Sequence, residues 1–158
     1  MQTHVSHTLE NTQTIAATLT KDIVARFHNT KPHKAFVVGL SGELGAGKTA
    51  MVKAVARELG ITQTLKSPTF ILKQAFPFSI KDLPFTRLVH IDTYRLEEDD
   101  TLASIEWEAE KSDPHNLIFI EWPERVRNVL PSAIMEVSLV LHDDETRTIS
   151  WQLPQKNE

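Results

Sequence analysis

Apolar residues recur at helical spacing near the start of the chain, at Ile15, Ala16, Leu19, Ile23, Val24 and Phe27. That period predicts a helix from Leu9 to Phe27 with one buried face, capped by Asn11 or Thr12. Asn29 to Lys34 then reads as a loop. The pattern changes at Ala35-Phe36-Val37-Val38-Gly39-Leu40, an unbroken apolar run of the kind that forms a buried parallel strand. Thr49 to Leu59 is rich in helix formers and stops at Gly60, a residue suited to the position just past a helix end. Pro68 argues against helix in Thr62 to Phe70. Ile71 to Phe76 is a candidate strand, and Pro77 to Thr86 reads as a loop or hairpin tip. Two short apolar runs, Leu88 to Ile91 and Leu117 to Ile120, each end at an acid, Asp92 and Glu121. Between them, Glu97 to Lys111 is acidic and partly helical, anchored by Leu102, Ile105 and Trp107. Arg125 to Leu130 is a short helix candidate. The tail alternates from Ile134 to His142 and from Arg147 to Leu153 around Asp143-Asp144-Glu145, which predicts an antiparallel hairpin.

The segment between the first strand and the second helix changes the picture. Gly42-Glu43-Leu44-Gly45-Ala46-Gly47-Lys48-Thr49 reads G-x-x-x-x-G-K-[ST], the phosphate-binding P-loop. Its glycines allow backbone N–H groups to turn toward one point and approach an anion closely. Lys48 brings a compact positive charge to the β- and γ-phosphates, and the Thr49 hydroxyl suits a Mg²⁺ that touches the same phosphates. A helix starting here aims its N-terminal dipole at the anion. The motif demands a strand before it and a helix after it, and both are predicted. The elements together predict an α/β fold over residues 1–158: a single P-loop NTPase-like domain of three layers. Its central sheet is mainly parallel, with antiparallel additions and a C-terminal hairpin.

Composition narrows the setting. The 158 residues are 41% hydrophobic and 24% charged, with a formal net charge of −4. These values are ordinary for a soluble globular chain and exclude a nucleic-acid binder with a basic footprint over its whole surface. Cysteine is absent, which excludes disulfides, cysteine-based zinc sites and thiol nucleophiles. No apolar run approaches the ~20 residues of a membrane span, and Met1-Gln2-Thr3-His4-Val5 does not open a secretion signal. A cytoplasmic location is the expectation.

A P-loop needs an acid at the end of a neighbouring strand to hold Mg²⁺ directly or through water. Glu121 and Asp92 both satisfy that requirement, and two strand-end carboxylates would suit a metal and water-activating pair. Either acid would also serve as an ordinary turn cap. Thr69, in Ser67-Pro68-Thr69-Phe70, stands where many nucleotide hydrolases keep a γ-phosphate-sensing loop. A capping threonine beside a proline turn explains it equally well. His90 is alone among apolar residues, and a hydrogen-bonded, half-buried histidine accounts for it. Arg95 suits either a phosphate or a local ion pair. Trp107 and Trp122 read as core anchors, and Glu106, Glu108 and Glu110 as a solvated helix face. An Asn-Lys-x-Asp motif and a strand-end Asp-x-x-Gly are both missing, so ATP is favoured over GTP.

The P-loop, Ser67-Pro68-Thr69-Phe70, His90-Ile91-Asp92-Thr93-Tyr94-Arg95-Leu96 and Glu121-Trp122-Pro123-Glu124, in this order and spacing, closely resemble the bacterial TsaE (YjeE) family. The resemblance implies a small ATPase needed for threonylcarbamoyladenosine in tRNA. Such a protein binds ATP and works with TsaD and TsaB, the pair that transfers the threonylcarbamoyl group, so that tRNA is met indirectly through the complex. On matching positions it implies phosphate and Mg²⁺ roles for Lys48 and Thr49, within a nucleotide-binding run of Glu43, Leu44, Gly45, Ala46, Gly47 and Ala50. It makes Ser67 and Thr69 part of a switch-like loop, Asp92 the water-activating group and Glu121 the metal acid. It places Trp122 near the nucleotide, and Asn11 and Thr12 near the base or ribose. Glu43 stands where the family usually has Asp, which keeps the charge. A small-molecule kinase and a non-catalytic nucleotide-sensing module are the alternative functions. Low activity alone is expected, because no arginine is placed by sequence at the γ-phosphate.

Overall fold

The computed structural model describes residues 1–30, 33–96 and 105–153. Seven strands form one sheet in the order β1-β7-β6-β2-β5-β4-β3. They are β1 (Gln2–Ser6), β2 (Phe36–Ser41), β3 (Lys73–Pro77), β4 (Arg87–Asp92), β5 (Asn116–Glu121), β6 (Met135–Leu141) and β7 (Arg147–Gln152). The four central strands β6, β2, β5 and β4 run parallel, while β3 and the β7–β1 pair add antiparallel edges. The helices are α1 (Leu9–Thr30), α2 (Lys48–Glu58) and α3 (Trp107–Ser112).

Strand alternation sorts the apolar side chains into two cores. On one face Phe36, Val38, Leu40, Leu88, Leu117 and Phe119 pack with Ile15, Leu19 and Ile23 of α1 and Met51, Val52 and Val55 of α2. On the other, Val37, Val89, Ile91, Ile118 and Ile120 are covered by Leu96, Ile105, Trp107, Val126 and Ile134. This is the expected α/β three-layer arrangement, with a thin second helical layer. The alternation also decides where the polar residues of the strands go. His90 and Asp92 follow Leu88 at intervals of two, and Glu121 follows Phe119, so all three lie on the α1/α2 side of the sheet.

Several boundaries differ from the sequence reading. β1 was not expected; its alternation is too short to register, and it forms by pairing with β7 from Gln2 opposite Trp151 to Ser6 opposite Arg147. Asp22 of α1 secures both strands, accepting hydrogen bonds from Gln2 Nε2 and Trp151 Nε1, each at 2.8 Å. The α1 cap is Thr8, whose Oγ1 accepts the Asn11 N–H at 3.1 Å, and not Asn11 or Thr12. Asn11 sits one turn inside and reaches back to accept the N–H of His7, the residue before the cap, at 3.2 Å. α1 continues to Thr30, past the expected loop start at Asn29. Pro68 begins a short 3-10 turn, Pro68–Phe70, because a proline lacks only an N–H that a first-turn residue would leave unpaired. Leu72 adopts φ 62, delaying β3 to Lys73. Arg125 to Leu130 is not a helix; a 3-10 turn spans Pro123–Val126. Much of the expected 97–111 helix, Leu102 included, lies outside the described residues, and α3 occupies its end.

The acidic run on α3 is not a uniform solvated face. Glu110 is buried, at 4% exposure, and its carboxylate is met by Lys73 of β3 at 2.7 Å, Arg87 of β4 at 2.8 Å and Asn116 Nδ2 of β5 at 2.9 Å. Sequence spacing could not show this, because all three partners come from other elements.

As expected, Gly60 lies just past the end of α2, after the Leu59 cap, with the Gly60 N–H bonded to Arg57 O and the Ile61 N–H to Ala56 O, both at 2.9 Å. Directly after β2, at the start of the P-loop, Gly42 is sterically obligatory. A Cβ there would collide with the backbone carbonyl of Leu139 on β6, which strand pairing holds in place. Gly42→Ala is therefore expected to lower stability by about 2–3 kcal/mol as the loop is pushed off the sheet. Chemical denaturation of the variant beside the wild type measures it.

Candidate nucleotide site

β2 delivers the chain to the P-loop at the carboxyl edge of the sheet, where open α/β sheets bind ligands. Gly47 caps α2 with φ 101 and contributes no side chain. The first N–H groups of a helix have no intrahelical partners, so this end presents donors and a positive dipole end to one anion. Lys48 is the first residue of α2 and only 4% exposed. Its Nζ donates to Gly42 O at 2.6 Å and Glu43 O at 2.9 Å and lies 3.8 Å from the centroid of the Trp122 ring. Burial pulls its pKa below the usual lysine value, and the charges of Glu121, Glu124 and Asp92 offset part of that.

The two acids are side by side. Asp92 and Glu121 end adjacent parallel strands and are partners in register. Thr49 Oγ1 donates to Glu121 Oε1 at 2.7 Å, and His90 Nε2 lies 2.8 Å from that same oxygen. Asp92 Oδ2 accepts from Thr69 Oγ1 at 2.5 Å, and Asp92 Oδ1 accepts from the Tyr94 N–H at 2.9 Å. Thr69 in turn shares a hydrogen bond with Ser67 at 2.7 Å. Thr93 bolts the two strand ends together, its hydroxyl donating to Glu121 O at 2.9 Å and Trp122 O at 2.7 Å. That contact holds Trp122 at φ 61, a costly conformation for a bulky residue. The Trp122 ring packs against Tyr94, with centroids 5.1 Å apart.

Two clefts meet at this point. One, of about 270 Å³, is lined by Leu44, Gly45, Lys48, Thr49, Ser67, Thr69, Asp92, Tyr94, Glu121 and Trp122. The other, of about 380 Å³, is lined by residues that include Thr8, Thr12, Leu139 and Arg147. Gly47 and Ala50 line both. Arg147 leans over the loop: its Nε is 3.4 Å from the position a Gly47 Cβ would take. Among the described residues no three His, Cys, Asp or Glu side chains gather as a complete metal cage. The oxygens of Thr49 and Glu121 instead suit a hard cation that takes most of its ligands from phosphate and water, as Mg²⁺ does.

The structure thus brings most of the sequence-selected residues to one place. Gly45, Gly47, Lys48, Thr49, Ala50, Thr69, Asp92, Glu121 and Trp122 surround the first cleft, with Leu44 exposed on its rim. Ala46 is buried beneath it, and the Glu43 carbonyl accepts both Lys48 Nζ and the Ala46 N–H at 3.1 Å. Thr12 lines the second cleft and bonds Ser6 at 2.8 Å. Asn11 lines neither and serves the helix cap. His90 is fully buried, not half-buried. Arg95 stacks on Phe70, with its guanidinium carbon 4.1 Å from the ring centroid. Trp107 is a core anchor, whereas Trp122 belongs to the site. Thr93, Tyr94 and Arg147 escaped the sequence reading. Thr93 and Tyr94 carried a signal, since they directly follow a strand-end acid; Arg147 carried none, being one alternating residue of a hairpin.

Residues 6–149 match the sequence model of the family described as Threonylcarbamoyl adenosine biosynthesis protein TsaE. The tRNA threonylcarbamoyladenosine biosynthesis protein TsaE of Rickettsia bellii is 34% identical over 141 residues, 87% of this chain and 92% of its own length. Its namesake in Bacillus subtilis is 30% identical over 115 residues, covering 73% of this chain and 68% of its own. The crystal structure of YdiB from Bacillus subtilis superposes with a TM-score of 0.67 over 98% of this chain and 86% of its own, at 23% identity, a likeness of fold. The matched span takes in the P-loop, both strand-end acids and Arg147, and on that match the chain belongs to the TsaE family.

Proposed function

We propose that this chain is a Mg²⁺-dependent ATP-binding and ATP-hydrolysing accessory protein of tRNA N6-threonylcarbamoyladenosine synthesis, acting in the cytoplasm with TsaD and TsaB. The observation that carries the reading is the juxtaposition, in one cleft, of the Lys48 ammonium, the Thr49–Glu121 hydrogen bond and the Asp92 carboxylate. Lys48 and the first amides of α2 hold the β- and γ-phosphates. Thr49 and Glu121 hold Mg²⁺, which neutralises phosphate charge during transfer. Asp92 orients the attacking water and takes its proton. Thr69, bonded to Asp92, and Ser67, bonded to Thr69, respond to the γ-phosphate, and Trp122 lies against the nucleotide.

The second cleft extends this site along Thr12, with Asn11 fixing the turn beside it, and suits the nucleoside. Arg147 stands where the two clefts join. Arg147→Ala is expected to weaken ATP binding about tenfold, the loss of one charge-assisted hydrogen bond, while turnover at saturation changes little. Titration calorimetry together with the kcat/KM split tests it.

The function itself is tested by Mg²⁺-dependent ATP hydrolysis, measured alone and with the TsaB–TsaD pair plus tRNA. Stimulation by the pair supports the accessory-ATPase reading. ATP binding without hydrolysis in every mixture would make the chain a nucleotide sensor. ADP release dependent on an added metabolite would make it a kinase.

A further inference from the structure

We propose that His90 is a positioning residue for Glu121, donating its Nε2–H to Oε1 so that the carboxylate meets Thr49 and presents its other oxygen to the cleft. The proposal rests on the reading of Thr49 and Glu121 as the Mg²⁺ side of an ATPase site.

The case begins with cost. His90 lies in the middle of an apolar strand and is fully buried. A leucine there would need no hydrogen-bond partner, whereas a buried polar ring does. The only described partner of its Nε2 is Glu121 Oε1, at 2.8 Å. Its Nδ1 is buried without one, as is Oε1 of Gln74, the residue directly opposite on β3. A group kept in the core at that expense, against a single carboxylate, is what a site constraint looks like.

Hydrogen-bond logic assigns the proton. Glu121 Oε1 already accepts from the Thr49 hydroxyl, so the imidazole must be a second donor to that oxygen, which puts the proton on Nε2. In the neutral ring with that tautomer Nδ1 is an acceptor, and an unpaired buried acceptor is tolerated more readily than an orphaned N–H.

The geometric consequence follows. Glutamate is among the side chains that lose most rotamer freedom when fixed. Two donors from different elements, Thr49 of α2 and His90 of β4, pin Oε1. Both described hydrogen bonds fall on that oxygen, and Glu121 lines the cleft, so Oε2 is the oxygen free for the ligand side. Such outer partners of metal-binding side chains typically govern about 10–100-fold in metal affinity or activity.

Two measurements on the full chain test this. In long-range ¹H–¹⁵N spectra of histidine-labelled protein, His90 is expected to show a protonated Nε2, with a resonance that moves in Glu121→Gln. A bare Nε2 with the proton on Nδ1 overturns the proposal. In Mg²⁺-dependent ATP turnover, His90→Leu is expected to lose about 10–100-fold in kcat, with Mg²⁺-free ATP affinity unchanged. His90→Gln, whose amide nitrogen reaches the Nε2 position, recovers most of the loss, and the shorter His90→Asn does not. The Gln and Asn pair decides the matter if the Leu variant fails to fold, because a merely structural role would not rank them by donor position. Wild-type turnover in a folded His90→Leu, or equal activity of Gln and Asn, overturns the proposal and leaves the ATPase reading intact. A wild type with no Mg²⁺-dependent turnover removes the ATPase reading first, and the proposal with it.

Discussion

Lys48→Ala is expected to reduce ATP turnover by at least about 100-fold and to weaken ATP binding by about 10–100-fold, the latter from the loss of about 1.5–3 kcal/mol in hydrogen bonding to a charged partner. The prediction follows from where the ammonium sits. It is buried at the first turn of α2, tied to the Gly42 and Glu43 carbonyls and lying over the Trp122 ring. Phosphate oxygens arriving at the helix end would compete for the same three donors, so the charge is held next to where it is needed and moves little. Burial already pulls its pKa below the usual lysine value, and an incoming anion relieves that cost by favouring the charged form. Turnover should suffer more than binding, because charge on the γ-phosphate and leaving oxygen grows toward the transition state. The backbone amides of the loop remain in the variant, so some affinity survives. Parallel calorimetry and single-turnover hydrolysis separate the two effects. Equal turnover in wild type and variant would place the chemistry away from the P-loop.

Asp92→Asn should separate chemistry from binding more cleanly. ATP affinity is expected to stay within about threefold, while kcat falls by about 10²–10⁴, the usual range for loss of a general base. An asparagine fits the same space. Its Oδ1 can accept the Tyr94 N–H as the aspartate does, and its amide can donate to Thr69, whose hydroxyl turns to accept. The fold around the strand end therefore survives, but the proton acceptor is gone. Hydrolysis at the wild-type rate in Asp92→Asn would show that the base assignment is wrong and leave Asp92 as an anchor for the Thr69 turn. If ATP binding and partner assembly persist while function in tRNA modification also persists, the chain works as a sensor.

Much of this site could be read along the chain because its parts are local. The P-loop needs particular residues at consecutive positions, since backbone curvature, a helix start and one lysine must occur together within eight residues. The strands of Phe36–Ser41 and Asn116–Glu121 announce themselves because both of their faces are buried, which leaves unbroken apolar runs. Gly60 marks the helix end for a reason internal to the chain.

What could not be read is everything set by a partner distant in sequence. β1 exists because β7 lies beside it, and its own five residues carry too weak a pattern. Glu110 looks like one more exposed acid until Lys73, Arg87 and Asn116 converge on it from three strands. His90, 31 positions from Glu121 in sequence, reaches it only because β4 and β5 pair in register with Asp92 beside Glu121.

By itself, then, the sequence determined the fold class, the anion-binding loop and two strand-end acids, because local sterics and hydrophobic period encode those directly. Only the tertiary structure decided that Thr49, Glu121 and His90 form one hydrogen-bonded chain, that Asp92 is held by Thr69, and that Arg147 overhangs the loop. These are contacts between elements, and they depend on strand order and register, which no short stretch of the chain specifies.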